Sequence, residues 1–249
     1  MWMKPISKTK KELAISIIIP AFNEEQRIGK TLDQFLKKYG GTGEIIVVLN
    51  GCRDHTLEVV KEIEHDHQGC LKWIDIPKPV GKGGAIIEGF KIARGKLIGF
   101  VDGDGTTSPE EFDRLIRQID GFEGVIASRY IEGAIIERSL KRAIIGRGFS
   151  FITGLLFWFP FKDTQCGAKV FREEVIKSVL PQLTFCDMVF DVDLLYHVLR
   201  KGFAVKEIPT VWVEEKGSSL FSSNLRLLRT SLRMLISLVR LRTRTLFPK

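Results

Sequence analysis

Two aspartates stand one glycine apart in the run FVDGDGTT, Phe100 to Thr107, directly after an apolar stretch that begins at Leu97. Carboxylates this close do not both stay ionised unless a cation offsets them. Mg²⁺ or Mn²⁺, hard ions that take oxygen ligands, suit Asp102 and Asp104, and such ions are commonly shared with phosphate oxygens. The other use for the pair, capping the helix that starts at Pro109, falls better to Thr107 or Ser108. Gly103 and Gly105 let a ligand approach the backbone. A second glycine-bearing turn, Gly81-Lys82-Gly83-Gly84, also precedes a helical stretch. It would suit an anion through its N–H groups, or it simply links a strand to a helix. It matches neither the GxxxxGK[ST] phosphate loop nor a first-strand GxGxxG turn.

Hydrophobic periodicity supplies the elements that must hold these turns. Strands are expected at Ala14–Pro20, Glu44–Leu49, Lys72–Ile76, Lys96–Val101 and Val125–Ser128. Helices are expected at Glu24–Lys38, Thr56–Asp66, Lys82–Ala93 and Pro109–Ile119. This alternation implies an α/β fold with a mostly parallel, mixed central sheet flanked by helices. Ligands gather at the carboxyl ends of such strands. Pro20 to Glu24, Asn50-Gly51, Pro79 to Gly84 and Asp102 to Thr106 all fall there.

The second half is less regular. It offers a helical pattern at Ser139–Phe161, basic then apolar, and a turn into a strand over Asp163–Phe171. Helices follow at Glu173–Val179 and Phe190–Arg200, then an edge strand with a proline at Val205–Val213. The organisation expected is a catalytic domain over 1–220 and a basic amphipathic helical segment over 221–249.

The chain has 249 residues, 44% hydrophobic and 27% charged, which reads as globular. Its 38 basic residues outnumber 30 acidic ones, giving +8. An anionic partner follows, whether nucleic acid, anionic membrane or phosphorylated substrate. No RNA-binding signature accompanies the basic residues, so nucleic acid is not expected. Cys52, Cys70, Cys166 and Cys186 show no CxxC spacing, which excludes the usual zinc and thioredoxin-like patterns and fits a reduced, cytoplasmic setting. The four histidines lie at no ligand spacing on a convincing element. The opening MWMKPISKTKKELA lacks the apolar core of a secretory leader, and no run reaches the ~18 apolar residues of a membrane span.

The motifs IIIPAFNEE, VVLNGCRDHT, PKPVGKGGAIIEGFKIARG, FVDGDGTT, ASRY, KRAIIGRG, DTQCGAKVF and FDVDLLY occur in that order from about Ile15 to Leu220. Together the series resembles the family-2 glycosyltransferases of GT-A fold, and more narrowly the dolichyl-phosphate glucose and mannose synthases. The resemblance implies a nucleotide sugar, UDP-glucose or GDP-mannose, as donor and a polyprenyl or dolichyl phosphate as acceptor. It implies that Pro20, Ala21, Phe22, Glu24, Asn50 and Lys82 hold the nucleotide sugar together with Asp102, Gly103 and Asp104. Asp102 and Asp104 would bind the metal, with Thr106 as a further ligand. Arg129 and Arg142 would grip the acceptor phosphate, with Arg147 beside them. Asp193 matches the family's acidic position in its helix, as catalyst or as a group that orients an arginine. Lys216, before Gly217-Ser218-Ser219, either closes on the diphosphate or is a surface lysine. The chain departs from the pattern at Leu49-Asn50, where many relatives carry Asp-Asp, and at Gly146, where mannose synthases often carry Ser. DTQCG and FDVDLLY lean towards the glucosyl branch.

A phosphate acceptor needs no strong base, because its second pKa is about 6. A hydroxyl acceptor on a protein, glycan or small molecule would need one, and Asp193 is then the candidate. Arg226, Arg229, Arg233, Arg240 and Arg244 share one face of the C-terminal helical pattern, and Phe149 to Phe161 is apolar beyond what one buried face needs. The expectation is a peripheral protein on the cytosolic face of a membrane. A non-enzymatic basic module is the remaining alternative.

Overall fold

The computed structural model describes residues 13–137, 140–213 and 224–246. Nine strands and eight α-helices lie within those residues. In chain order the first half runs β1 (Ile15–Ala21), α1 (Ile28–Tyr39), β2 (Gly43–Asn50), α2 (Thr56–Asp66), β3 (Leu71–Ile76), α3 (Gly81–Ile92), β4 (Leu97–Phe100), α4 (Pro109–Arg117) and β5 (Gly124–Ser128). The second half adds β6 (Ile135–Glu137), α5 (Leu140–Phe157), β7 (Lys169–Arg172), α6 (Glu173–Val179), α7 (Phe190–Arg200), β8 (Val205–Pro209), β9 (Val211–Val213) and α8 (Asn224–Leu246).

Seven strands form the main sheet in the order β3-β2-β1-β4-β7-β5-β8. All neighbours are parallel except β7, which runs antiparallel to both β4 and β5. The β-branched run of β1 alternates across the sheet. Ile17 and Ile19 face α1, α2 and α4 through Ile28, Leu32, Phe35, Val60 and Phe112. Ile18 faces α3, α6 and α7 through Ile86, Phe90, Ile176 and Phe190. Both faces are covered, which is why these strands read as continuous apolar runs.

Three elements differ from the sequence reading. α1 begins at Ile28 and not at Glu24, because 24–27 is a turn in which Arg27 and Ile28 N–H groups donate to Glu24 O. The apolar run to Phe161 leaves the helix after Phe157, where Trp158 takes φ +56. The expected strand over 205–213 is split: β8 is the edge of the main sheet, whereas β9 pairs with β6 in a separate parallel pair. Ser108 caps α4, its hydroxyl accepting from Glu111 N–H at 3.3 Å. α8 is not detached from the rest: Leu238 and Leu241 pack with Phe157, Val189 and Val192 in a third small core.

Candidate active site

The carboxyl ends of β1, β2 and β4 meet as expected. A Cβ on Gly103 would stand 2.8 Å from Pro20 O, so the turn after β4 passes directly over the end of β1. Ala21 is buried, and its carbonyl accepts from Cys52 Sγ at 3.4 Å. Phe22 is exposed at the mouth. Asn50 Oδ1 accepts from Val80 N–H at 2.8 Å, which fixes the turn entering α3.

Lys82, in the first turn of α3, places Nζ 2.5 Å from Asp102 Oδ1. Burial opposes the lysine's charge, but Asp102, Asp191 and Asp104 hold its pKa above the ordinary lysine value. Burial equally opposes charge on Asp102, and Lys82, Lys169 and Arg129 overcome it, keeping this carboxyl below the usual range. Asp104 goes the other way. Burial and the Asp102 charge lift it, although Thr106 N–H and Oγ1 both donate to its Oδ1, at 3.1 and 2.8 Å. Thr106 thus orients Asp104. Burial also lifts Glu24, against the pull of Arg27 2.6 Å away, and Asp104 and Asp54 add to the lift.

The donor set fits a divalent ion. Asp102 and Asp104 offer hard oxygen ligands whose charges act on each other, and Lys82 pairs with Asp102 while acting on Asp104 more weakly. Among the described residues no third acid, His or Cys completes a metal cluster, so remaining ligands would be phosphate or water oxygens. Gly167 makes room here, since a Cβ there would overlap the Asp102 carboxylate.

The glycines of Gly81 to Gly84 are closely packed. Gly84 N–H donates to Cys186 O at 3.0 Å. Gly81 has φ +82 beside that same carbonyl, and Gly83 lies against the Phe190 side chain.

Arg129 follows β5, and its fork grips Asp163: Nε to Oδ2 at 2.7 Å and Nη2 to Oδ1 at 3.0 Å, with the backbone N–H also on Oδ2. Burial opposes charge on Asp163, yet the guanidinium holds it below the usual carboxylate range. Arg129 also lies over the rings of Tyr130 and Trp212, and Arg147 lies over Tyr130 at 5.9 Å. Tyr130, Arg147 and Lys162 then line a cavity of about 490 Å³ whose other walls include Phe151, Leu155 and Trp158. Arg142 lies in the first turn of α5, but its side chain, like all of Lys216, is outside the described residues.

The two acids of α7 divide. They stand about 200° apart around the helix. Asp191 Oδ1 is 2.5 Å from Lys169 Nζ, a fully buried ammonium that also donates to Cys166 O at 2.6 Å. Asp191 is the one that acts on Lys82. Asp193, expected as catalyst or as a group that orients an arginine, is turned the other way. Its Oδ2 accepts from Thr184 and Phe185 N–H at 2.9 and 3.2 Å, and His197 Nε2 lies 3.3 Å from its Oδ1, off hydrogen-bond geometry. It therefore fixes the 184–186 turn that α3 packs on.

Sequence reasoning gave no role to Asp163, Lys169 or Glu207. Glu207 accepts from Lys162 and Asp163 N–H and so anchors the loop. The signal for Asp163 was its place in DTQCG. Lys169, a lysine on a strand between apolar residues, offered only the oddity of its position.

The sequence model for glycosyl transferase family 2 matches residues 16–180. Dolichyl-phosphate beta-glucosyltransferase of Drosophila melanogaster is 34% identical over 236 residues, covering 87% of this chain and 72% of that protein. The Homo sapiens protein of the same name is 31% identical, covering 83% and 69%. Glucosyl-3-phosphoglycerate synthase from Mycobacterium tuberculosis, solved with Mn²⁺, UDP and glucosyl-3-phosphoglycerate, aligns with a TM-score of 0.70 at 19% identity, covering 92% of this chain and 80% of that one. A mannosyltransferase from Pyrobaculum calidifontis, solved with GDP-Man and Mn²⁺, gives 0.63 at 15%, covering 93% and 65%. The chain belongs to glycosyl transferase family 2. It is a glycosyltransferase, and the mixed α/β fold is the GT-A type expected from the sequence.

Proposed function

We propose that this enzyme moves glucose from UDP-glucose onto the phosphate of dolichol or a related polyprenol, inverting the anomeric centre. The observation that carries the reading is the cavity beyond Arg129, where Arg147 and Lys162 are set among Phe151, Leu155 and Trp158. An apolar wall with cations suits a molecule that is phosphate at one end and hydrocarbon at the other. The names of the curated relatives support glucose and dolichyl phosphate, and the nucleotides and Mn²⁺ in the related structures support the donor and the ion.

Pro20, Ala21, Phe22, Glu24 and Asn50 hold base and ribose in this reading. Lys82, Asp102, Gly103 and Asp104 hold the diphosphate, with Lys216 as a further cation for it. Asp102 and Asp104 hold the ion, and Thr106 keeps Asp104 in place. Bound there, the ion supplies electrostatic stabilisation of the departing diphosphate. Arg129, Arg142 and Arg147 draw in the acceptor phosphate. An acceptor oxygen attacks the anomeric carbon as the bond to the diphosphate breaks. The acceptor is already anionic near neutral pH, so Asp193 is not required as a base.

The reaction calls for a membrane surface, since each CH₂ drawn from a bilayer costs about 0.8 kcal/mol. Among the described residues no helix is long and apolar enough to cross a membrane. Ile144, Phe151 and Leu155 are exposed along one face of α5, with Trp158 exposed just past its end, and Leu232, Ile236 and Val239 are exposed along α8, next to Arg233 and Arg240. Such basic amphipathic faces suit the interface of an anionic, cytosolic leaflet. The test is incubation with labelled UDP-glucose or GDP-mannose, dolichyl phosphate and Mn²⁺. Label from UDP-glucose should become organic-soluble. No such product with any common donor would refute the reading.

A further inference from the structure

Lys169 has no part in the reaction as described so far. It stands on β7 opposite Phe100 of β4, its side chain closed to solvent and its ammonium over the Phe100 ring. Apolar side chains of similar size commonly replace a buried ion pair at no loss of stability. Stability alone therefore does not account for a lysine here, but what it touches does. Its Nζ donates to Asp191 Oδ1 at 2.5 Å and to Cys166 O at 2.6 Å. That carbonyl belongs to the peptide leading into Gly167, and Gly167 lies so close to the Asp102 carboxylate that a Cβ would overlap it. Asp102 is held from another side by Lys82. The four charges also act crosswise: Lys169 favours the ionised Asp102, and Asp191 favours the ionised Lys82.

We propose that Lys169 is a positioning residue for the ion site: it fixes the Asp102 carboxylate through the 166–167 backbone on one side and through Asp191 and Lys82 on the other. This rests on the reading that Asp102 and Asp104 hold the ion. Lys169 needs no contact with substrate or ion, because it acts through groups packed directly on it. The outer partners of a metal ligand set its direction and basicity, and losing them typically lowers metal affinity or activity about 10- to 100-fold.

The experiment removes both charges of the pair at once, because either change alone strands the other group. Lys169→Met with Asp191→Val is the apolar replacement, and Lys169→Gln with Asp191→Asn keeps polar groups in the same space. UDP binding is measured by calorimetry in Mn²⁺ and in EDTA, with GDP alongside, and thermal melts check folding. Wild type should bind UDP more tightly in Mn²⁺ than in EDTA. The double variants should melt near the wild-type temperature, yet the gain from Mn²⁺ should fall about 10- to 100-fold. A folded double variant that keeps the full gain overturns the inference and makes the pair a structural part. So does an equal drop in both media, which leaves the gain intact. If wild type gains nothing from Mn²⁺ with either nucleotide, the reading of the two aspartates as the ion site fails, and the inference falls with it.

Discussion

Lys82 reaches from the first turn of α3 to set its ammonium 2.5 Å from Asp102 Oδ1, so the acid that follows β4 carries a cation of the protein's own. Asp104, two residues on, feels the same cation more weakly, and burial and the Asp102 charge outweigh it.

Replacing Asp104 with Asn should therefore separate stability from activity. Removing a half-buried, repelled carboxylate raises the melting temperature, while transfer falls by about 100- to 1,000-fold, the scale of losing one electrostatic stabiliser. Lys82→Met should lower the melting temperature, because it leaves Asp102 and Asp104 facing each other. Chelation with EDTA should abolish turnover in the wild type, and added Mn²⁺ should restore it. Transfer that persists undiminished in EDTA would contradict the assignment of the two aspartates.

The acids of α7 should respond differently to the same change. Asp191→Asn strands the buried Lys169 ammonium, at a cost of about 3–5 kcal/mol. Asp193→Asn keeps an oxygen for the Thr184 and Phe185 N–H groups and should lose little stability and little turnover. Denaturant melts of both variants, with transfer assays on the second, check this. Loss of turnover in Asp193→Asn without loss of stability would return Asp193 to a catalytic role.

Acid should weaken the fold through Asp163 and Glu44. Arg129 holds Asp163 below its ordinary 3.8, and Lys72, Ser16 and the Arg94 N–H hold Glu44 below its ordinary 4.5, in both cases against burial. A depressed carboxyl contributes stability that is fully present above its unfolded pKa and is lost as pH falls through the folded one. Melting temperature should thus be insensitive to these two groups at neutral pH and decline from about pH 4.5 downward. Asp163→Asn should be less stable at pH 7 and show a shallower decline. An equally steep acid decline in that variant would mean the pairing with Arg129 adds nothing.

Trp158 offers a test of the membrane face. It is 83% exposed and holds φ +56, a left-handed backbone that penalises a bulky residue by about 1–2 kcal/mol. Trp158→Gly should stabilise the protein in solution by about 1 kcal/mol. It should also reduce flotation with anionic liposomes, as should Arg233→Glu with Arg240→Glu. Wild-type binding should weaken at high salt. Flotation unchanged in the Trp158 variant would remove this end of α5 from the interface.

The sheet was legible because burial on both faces writes its strands as unbroken apolar runs; the need of the DxD pair for a cation was legible too, but not that Lys82 supplies one. The partners were not. Nothing local in the sequence ties Arg129 to Asp163, 34 positions away, or tells that Lys169 would be drawn under Phe100 to meet Asp191. The helical phase that turns Asp191 inward and Asp193 away was readable only in principle, since which face is the inner one depends on what α7 packs against. The split of 205–213 escaped because periodicity cannot say that a strand changes sheets. Gly81 to Gly84 could be read as an anion turn or as a simple link, because close helix packing and anion exposure call for the same residue.

The antiparallel β7 forms a seam in the sheet, with β3-β2-β1-β4 on one side and β5-β8 on the other. Apart from Lys216, the residues assigned to the nucleotide all come from the first side and end by Thr106, and those assigned to the acceptor begin at Arg129. Each half is therefore a contiguous length of chain, divided at α4. Substitutions confined to the second length of chain can therefore alter the acceptor side while leaving the donor side as it is. The same architecture can in this way diversify along one axis of specificity at a time.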